Sequence, residues 1–575
     1  MNPSTAHARV LVNELVRCGV REAVLCPGSR SAPLAYALQD AERAGALRLH
    51  VRVDERSAGF LALGLAKLTR VPAVVVTTSG TAVAELHPAA LEAAHADVPM
   101  VVLTADRPPE LRGVGANQTT VQPGLLGDAP RWSADLGLAD EVTLGAPTRT
   151  AVDRAVAAAR GLPGGRPGPV HLNVPFRDPL APDARAGELP PEAEGRAGGR
   201  PWTEVDAVPG GGAVVPAQRV TDVEHTLVVL GDLPGPDDAA LAVRWATSRG
   251  YPVVAEPFGG YDRGEVVPCG ALLLTAADWV EEHLPDRVVV VGRPTLTRDV
   301  GRLLRLVARV EVVSPDTGWT DPWHRAAAVH DLRATLAEAR ATPAEGRGRG
   351  PQARFRRDWT EAGETLRASG AVDPGALPWP SGAAVAATLA AALPPDGVLF
   401  AGSSNAARDL DLVGGTLAPG ARVVASRGLA GIDGCVSTAA GLALSTSAPT
   451  WALLGDLTFL HDANGLLVGP DEPRADLTIV VPNDDGGGIF STLEHGEPSR
   501  ATDFERVFGT PTGTDLGALC AAHGVGHELV TTRQRLHEAV TEPPCGIRVV
   551  EVRVDRGMHR DGRARLKELA AEALR

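Results

Sequence analysis

Short runs of β-branched residues alternate with Ala- and Leu-rich stretches along the whole chain, and this alternation constrains the fold more than any other feature of the sequence. Strands that are buried on both faces read as continuous apolar runs, and parallel strands need helical crossovers between them. The alternation therefore predicts an α/β protein built from doubly wound parallel sheets, each covered by helices on both faces.

The predicted strands fall into three sets along the 575 residues, a length that exceeds what one hydrophobic core usually supports. Stretches rich in Pro, Gly and Ala, without apolar periodicity, separate the sets and indicate linkers. We expect domains at 1–180, 223–340 and 381–575, with linkers at 181–222 and 341–380. The predicted strands are 23–25, 49–53, 73–77, 100–103 and 170–174; then 226–230, 252–255, 287–291 and 310–313; and finally 397–400, 422–425, 451–454, 477–481 and 547–552.

Charge and hydropathy exclude two kinds of partner. A net charge of −14 disfavours nucleic acid, because binding to phosphates relies on a basic surface. No apolar run reaches the roughly eighteen residues that a membrane span needs. The N-terminus has neither a basic stretch nor an apolar core before Ala6, so we expect no secretory signal and a cytoplasmic location.

Two loops near the C-terminus, 455–462 and 482–490, each follow a predicted strand of the third set. They are expected at the carboxyl ends of adjacent strands, the edge of a parallel sheet where ligands bind. Asp456 offers a hard oxygen to a magnesium-like cation, and the second loop offers another side-chain oxygen and a backbone carbonyl. The glycines of that loop allow close approach to a phosphate. The sequence therefore predicts a metal and diphosphate site.

The same two loops resemble the metal motif of the thiamine-diphosphate enzyme superfamily, which reads Gly-Asp-Gly and, much later, Asn-Asn. The chain departs from it twice, because Leu457 replaces the second glycine and Asp484 replaces the second asparagine. In the superfamily, the carbonyl ligand follows the second side-chain ligand by two positions. The resemblance therefore implies Asp484 and the carbonyl of Gly486 as ligands, with Asn483 as the alternative to Asp484.

Glu55 is the candidate for the carboxyl group that activates thiamine diphosphate by bonding to its pyrimidine ring. It follows the strand predicted at 49–53, and residues 55–66 match most of the superfamily pattern Glu-x-x-Ala-x-x-x-Ala-x-Gly-x-Ala. Enzymes of this class place the carboxyl in an apolar site, where desolvation raises its proton affinity. The alternative is a glutamate that only stabilises a helix N-terminus. The strand-to-helix turn at 77–81 is typical of the pyrimidine-binding domain, which we therefore expect at 1–180, with the diphosphate and metal-binding domain at 381–575.

Five segments narrow the resemblance to one family, the 2-succinyl-5-enolpyruvyl-6-hydroxy-3-cyclohexene-1-carboxylate synthases (the MenD family) of menaquinone biosynthesis. That family also has leucine at the position of Leu457, and the resemblance covers essentially the full length. It implies a transferase that uses thiamine diphosphate and Mg²⁺, or Mn²⁺, in a homodimer or homotetramer with active sites between subunits. The implied reaction decarboxylates 2-oxoglutarate and adds the succinyl-semialdehyde carbanion to isochorismate. The five segments are 26–34, 104–111, 115–119, 426–434 and 455–462.

The resemblance also implies roles for individual residues. Both substrates are dicarboxylates, so several arginines are expected to bind carboxylates through paired hydrogen bonds. The implied catalytic residues are Glu55, Gln118, Arg408 and Arg427. The implied substrate-binding residues are Arg30, Ser31, Arg107, Asn117, Ser403, Ser404 and Phe490. The implied cofactor-binding residues are Glu55, Ser79, Gly80, Thr81, Ile432, Gly455, Asp456, Leu457 and Ile489, and the implied metal ligands are Asp456, Asp484 and Gly486.

Simpler interpretations of these residues stay open at this point. Any one of the arginines is also compatible with a surface charge, and Ile432 and Phe490 with core packing. The roles of Arg293 and Arg298, after a strand of the second set, are not fixed by the sequence. The alternative functions are another thiamine carboligase or decarboxylase, such as one related to acetohydroxyacid synthase, and a non-catalytic protein on a decayed thiamine fold.

Overall fold

The computed structural model describes residues 1–140, 143–183, 189, 191–206, 220, 223–315, 318–341 and 350–575. Two compact units make up the chain. Unit one comprises Met1–Pro209, Ser426–Ser447 and His461–Ala475, and unit two comprises Gly210–Ala425, Ala448–Leu460 and Asp476–Arg575. Among the described residues, no helix combines the length and apolar character that a membrane crossing requires.

Unit one contains one six-stranded sheet, sheet one, in which every neighbouring pair is parallel and the order is β2-β1-β3-β4-β6-β5. The continuous burial of β3, β4 and β6 explains their Val- and Leu-rich sequences. The strands are β1 Glu22–Leu25, β2 Arg48–Val51, β3 Ala73–Thr77, β4 Met100–Asp106, β5 Ser133–Asp135 and β6 Pro169–Pro175. The helices are Pro3–Arg17, Ala32–Arg43, Glu55–Thr69, Thr81–Ala84, His87–His95, Ala146–Ala159 and Cys435–Leu444.

Unit two contains two parallel sheets. Sheet two has the order β11-β10-β9-β7-β8, and sheet three has the order β13-β12-β14-β15-β17-β16. The strands of sheet two are β7 Thr226–Leu230, β8 Val253–Ala255, β9 Arg287–Val291, β10 Arg309–Ser314 and β11 Ala326–Asp331. Those of sheet three are β12 Val398–Ala401, β13 Arg422–Val424, β14 Thr450–Leu453, β15 Leu477–Asn483, β16 Gly526–Leu529 and β17 Ile547–Arg553.

Helices follow most strands of unit two, as the doubly wound pattern requires. The helix Asp456–His461 lies in unit two except for its last residue. The helices of this unit are Asp238–Ser248, Gly270–Leu273, Ala277–Glu282, Arg298–Leu306, Leu332–Ala341, Pro351–Ala368, Gly382–Ala392, Asn405–Val413, Asp456–His461, Gly488–Ser491, Ala501–Phe504, Leu516–Ala522, Arg533–Thr541 and Met558–Ala573. Three parallel sheets flanked by helices confirm the predicted fold class.

The two stretches predicted as linkers have different outcomes. Half of 181–222 lies outside the described residues, as does 342–349 in the second stretch. The middle of the second stretch is the helix Pro351–Ala368 rather than a linker. Its buried residues Phe355, Trp359, Ala362 and Leu366 are spaced three or four apart, a helical periodicity that the surrounding Pro- and Arg-rich composition obscures.

The helix that begins at Glu55 packs closely on the helix Cys435–Leu444 within unit one. A Cβ on Gly64 would lie 2.2 Å from the carbonyl oxygen of Thr438, and one on Gly441 would lie 2.3 Å from that of Leu61. Only glycine allows two helix backbones to approach this closely. This contact fixes the helix that carries Glu55 at its start.

Candidate active site

The carboxyl edge of sheet one gathers most of the residues predicted for unit one. The loops after β1, β2, β3 and β4 supply them, and these four strands are neighbours in the sheet. Ligands of parallel sheets bind at this edge. The residues in these loops are Arg30, Ser31, Glu55, Ser79, Gly80, Thr81, Arg107, Asn117 and Gln118.

Glu55 is the first residue of its helix, four positions after β2 ends. The preceding Asp54 caps the helix by accepting a hydrogen bond from the backbone N–H of Ser57 at 3.1 Å. The Glu55 carboxyl is half-buried, and this burial, together with the charges of Asp54 and Glu85, raises its pKa. A raised pKa suits a carboxyl that must hold a proton at a ring nitrogen.

A buried carboxylate, Asp462, supports the start of the Glu55 helix. Its side chain accepts hydrogen bonds from Ser57 Oγ at 3.0 Å and from the backbone N–H of Ser437 at 2.6 Å and its Oγ at 3.1 Å. Asn464 also donates to Asp54 at 2.7 Å. The segment 462–464 thus ties the first turn of the Glu55 helix to the helix Cys435–Leu444, all within unit one.

Hydrogen bonds bring Ser79, Arg107 and Gln118 together beside Gly80. Arg107 Nη1 donates to Ser79 Oγ at 2.8 Å, and Gln118 Nε2 donates to the Ser79 carbonyl at 2.9 Å. Gly80 has φ +88°, and a Cβ there would lie 3.0 Å from Gln118 Cγ, so a turn this tight requires glycine. Burial and the charge of nearby Arg30 lower the pKa of Arg107.

Four other predicted residues of unit one lie outside the hydrogen-bonded group of Ser79, Arg107 and Gln118. The side chain of Ser31 is buried and donates to the Gly28 carbonyl at 3.1 Å, while Asn117 is exposed. Arg427 is buried, and Ile432 is half-buried in the same loop. This loop is held by a residue that the sequence did not reveal: the carboxylate of Glu92 accepts from the backbone N–H groups of residues 428 and 429 at 2.9 and 2.7 Å.

The carboxyl edge of sheet three gathers the predicted residues of unit two, after the neighbouring strands β12, β14 and β15. After β12, Ser403 Oγ is buried without a hydrogen-bond partner in the described part of the chain. Ser404 has φ +72°, and its carbonyl accepts from Arg408 Nη1 at 2.9 Å. An unsatisfied buried hydroxyl beside a strained residue is suited to binding a polar ligand.

Asp456 and Asp484 are the paired carboxylates of this edge. Burial and the charge of Asp484 raise the pKa of Asp456 to about 7. Asp456 Oδ2 accepts from the Gly486 N–H at 2.7 Å, and Oδ1 of Asp484 is buried with no hydrogen-bond partner among the described residues. Two carboxylates that repel each other, one with an unused buried oxygen, fit a divalent cation such as Mg²⁺.

Of the two candidates for the second ligand, Asp484 has a buried oxygen without a hydrogen-bond partner among the described residues, and Asn483 does not. The Oδ1 atom of Asn483 accepts from the backbone N–H of Asp485 at 2.9 Å, and its Nδ2 donates to Glu551 at 2.7 Å. Both polar ends of the amide are therefore engaged. The carbonyl of Gly486 accepts from the N–H of residue 488 at 3.0 Å and keeps a second lone pair.

The C-terminal helix Met558–Ala573 contributes to this site, which the sequence did not reveal. His559 Nε2 lies 2.6 Å from Asp484 Oδ2, and the side chains are 7% and 8% exposed. Just before that helix, Arg556 Nη1 donates to the carbonyl of Asp485 at 2.5 Å. These residues are more than 70 positions from the loop in sequence, and no spacing rule connects them.

The remaining predicted residues line the same loops. Gly455 and Asp456 open the helix after β14, with Leu457 half-buried beside them. Ile489 and Phe490 belong to the short helix Gly488–Ser491, and the ring of Phe490 lies 5.7 Å from that of Phe508. In the middle sheet, Arg293 follows β9 and Arg298 begins a helix, but nothing around them assigns a role.

An acid with a raised pKa at one sheet edge and a pair of carboxylates suited to a cation at another are the arrangement expected of a thiamine-diphosphate enzyme, and comparison with known proteins places the chain in that class. Residues 6–125 match the family model of the thiamine pyrophosphate enzyme N-terminal TPP binding domain. The chain belongs, within that class, to the 2-succinyl-5-enolpyruvyl-6-hydroxy-3-cyclohexene-1-carboxylate synthase family, as full-length relatives show.

Three relatives carry that synthase name. The protein from Kineococcus radiotolerans is 50% identical over 99% of both chains, and that from Saccharopolyspora erythraea is 47% identical over 100% of both. The protein from Nocardia farcinica is 47% identical over 98% of both chains. The family resemblance read from the sequence is thus confirmed.

Proposed function

We propose that the chain is a 2-succinyl-5-enolpyruvyl-6-hydroxy-3-cyclohexene-1-carboxylate synthase of menaquinone biosynthesis. It decarboxylates 2-oxoglutarate, releases CO₂ and joins the remaining succinyl-semialdehyde unit to isochorismate. Sequence identity of 47% and 50% to two synthases of that name, over essentially the full length of both chains, carries this proposal. The Glu55 site and the Asp456–Asp484 pair support it, because this chemistry needs both an activating acid and a metal–diphosphate site.

The bound groups are proposed to be thiamine diphosphate and Mg²⁺, with Mn²⁺ as a substitute. When bound, thiamine diphosphate supplies the carbon nucleophile and the electron sink for decarboxylation. Glu55 holds a proton at a ring nitrogen of the pyrimidine, since its raised pKa favours the protonated form. Asp456, Asp484 and the Gly486 carbonyl hold the cation, and Ser79, Gly80, Thr81, Gly455, Leu457, Ile432 and Ile489 surround the cofactor.

The substrates are proposed to bind through the arginines. Arg30 and Arg107 share one region of unit one, and two adjacent guanidinium groups attract a carboxylate strongly. Arg408 and Arg427 are assigned to the other carboxylates and, with Gln118, to the reacting groups. Ser31, Asn117, Ser403, Ser404 and Phe490 complete the substrate site.

The protein is further proposed to act in the cytoplasm as a homodimer or homotetramer. Glu55 lies in unit one and the metal ligands lie in unit two, so in this proposal an active site combines Glu55 of one subunit with Asp456 of another. Sedimentation together with activity checks this point. A fully active monomer would contradict it.

The decisive assay supplies purified protein with 2-oxoglutarate, isochorismate, thiamine diphosphate and Mg²⁺. We expect CO₂ release and formation of the cyclohexene adduct, both of which depend on isochorismate. Inertness toward isochorismate together with turnover of pyruvate would instead identify a different thiamine carboligase. A flavin spectrum in the isolated protein would point the same way.

A further inference from the structure

His559 makes a contact that neither the metal motif nor the family resemblance predicts. It is the second residue of the helix Met558–Ala573, and its Nε2 lies 2.6 Å from Oδ2 of Asp484. An ionised carboxylate can only accept hydrogen bonds, so Nε2 carries the hydrogen and donates it. Both side chains are more than nine-tenths buried, so water does not compete for this bond.

The surrounding backbone is shaped to fit this pair. A Cβ on Gly488 would lie 1.9 Å from Asp484 Oδ2 and 2.8 Å from His559 Nε2, so only glycine leaves room for them. Gly487 donates to the Gly509 carbonyl at 2.7 Å, which fixes the loop from its other side. The Asp484 side chain is therefore held by one oxygen, and its other oxygen, Oδ1, is the buried atom without a partner among the described residues.

We propose that His559 is a positioning residue for the metal site: it fixes Oδ2 of Asp484 and thereby directs Oδ1 toward the cation. The inference rests on the proposed function, because the cation is the one that this function requires. Partners that orient a metal ligand typically change metal affinity by roughly 10- to 100-fold when they are removed. The bond also explains how the chain uses aspartate where the superfamily has asparagine, since the additional negative charge is met by a hydrogen-bond donor.

The test measures Mn²⁺ binding to the full-length protein in the presence of thiamine diphosphate, by the electron paramagnetic resonance signal of free Mn²⁺. We expect His559→Ala to weaken Mn²⁺ binding by roughly 10- to 100-fold. His559→Gln keeps an amide donor and should recover part of the loss. His537→Ala is the matched control, because His537 is exposed on the helix Arg533–Thr541 and should leave binding unchanged.

A second measurement separates positioning from a general structural role. With Mg²⁺ titrated, His559→Ala should raise the half-saturating Mg²⁺ concentration by a similar factor, while kcat at saturating Mg²⁺ returns to within a few-fold of the wild type. Unchanged Mn²⁺ binding in both His559 variants would overturn the inference and leave the proposed function intact. A wild-type protein that binds no Mn²⁺ with thiamine diphosphate would overturn both. A loss of kcat that excess Mg²⁺ does not restore would overturn the positioning role alone.

Discussion

Glu55 in unit one and the pair Asp456 and Asp484 in unit two are acidic residues at the carboxyl edge of a parallel sheet, yet their surroundings differ. Glu55 forms no hydrogen bond to another side chain in the described part of the chain, and burial raises its pKa. Asp456 accepts a hydrogen bond from a backbone N–H and Asp484 accepts one from a histidine, and the charge of Asp484 helps burial to raise the pKa of Asp456. One site is suited to hold a proton, and the other to hold a cation.

The two carboxyl sites differ in which atoms their supporting hydrogen bonds reach. In unit one the side-chain hydrogen bonds of the described residues surround Glu55, and its carboxyl accepts one from its own backbone N–H, so it stays available to a ligand. In unit two the hydrogen bonds reach the carboxylates themselves and leave one oxygen of Asp484 unused. A carboxyl pKa shifted in the same direction therefore suits acid–base chemistry in the proposed role of Glu55 and metal binding in the proposed role of Asp456.

The largest effect is expected from Glu55→Gln. Glutamine keeps the shape but cannot share a proton with a ring nitrogen, so kcat should fall by about 10²- to 10⁴-fold with little change in thermal stability. Steady-state kinetics with 2-oxoglutarate and isochorismate measure this. Glu85→Gln is the matched control, because it removes a neighbouring charge that raises the Glu55 pKa but leaves the proposed acid in place. Equal rates for Glu55→Gln and the wild type would show that Glu55 is not the activating acid.

The next effect is a pH dependence of stability in the metal-free protein. Asp456 has a pKa of about 7 when folded, against 3.8 as its ordinary value, so the folded protein binds the extra proton. Its contribution is present at low pH and is lost as pH rises from about 4 through 7, on the order of 4 kcal/mol at most. Thermal unfolding in EDTA across this range measures it.

Two further measurements test whether Asp456 causes this pH dependence of stability. Asp456→Asn should flatten the pH slope between about 4 and 7, because asparagine does not titrate. Mg²⁺ with thiamine diphosphate should flatten it as well, because a cation stabilises the ionised carboxylate. A slope that is identical in the wild type and in Asp456→Asn would show that Asp456 is ionised in the absence of metal.

The sequence predicted all the central strands of the three sheets and three of the six edge strands, β2, β8 and β13. It identified no strand at β5, β11 or β16, and each of these lies at an edge of its sheet. Their residues are mostly half-buried or exposed and form no run of β-branched residues, so the signal that identifies buried strands is missing. Central strands such as β4 and β15 were identified because burial on both faces demands apolar residues.

The residues of the candidate site also fall into two groups, those that the sequence indicated and those that only the structure shows. Glu55 and Asp456 were found because each lies in a short local motif that directly follows a strand. His559, Asp462 and Glu92 act through contacts between segments that are distant in sequence. Asp462 ends the motif at 455–462, but neither that motif nor the residues around His559 and Glu92 indicate these contacts. Only the three-dimensional arrangement distinguishes such residues from ordinary polar side chains.

Asp462→Ala tests whether the hydrogen bonds of Asp462 stabilise the first turn of the Glu55 helix. The substitution leaves Ser57 Oγ and both donors of Ser437 without their buried acceptor, so we expect a loss of about 2–4 kcal/mol of unfolding free energy. Urea denaturation measures it. Asp471→Ala, at an exposed position of the same unit, should change stability by less than about 0.5 kcal/mol. A similar small change for Asp462→Ala would refute the supporting role.

The smallest effect separates close packing from helix propensity. Alanine is favoured over glycine inside a helix by about 1 kcal/mol, so Gly64→Ala would stabilise an isolated helix. Here the new Cβ would lie 2.2 Å from the carbonyl oxygen of Thr438, and the two backbones would have to separate. We therefore expect a net loss of about 1–3 kcal/mol in urea denaturation.

Gly562→Ala is the matched control for this substitution, because a Cβ on Gly562 meets no atom within 4 Å in the helix Met558–Ala573. It should stabilise the protein by about 0.5–1 kcal/mol. Opposite signs for the two substitutions would show that contact between helix backbones, and not propensity, fixes the helix that begins at Glu55. Equal signs would mean that the Glu55 helix tolerates displacement, and the support seen around its first turn would then have to come from Asp462 and Asp54 alone.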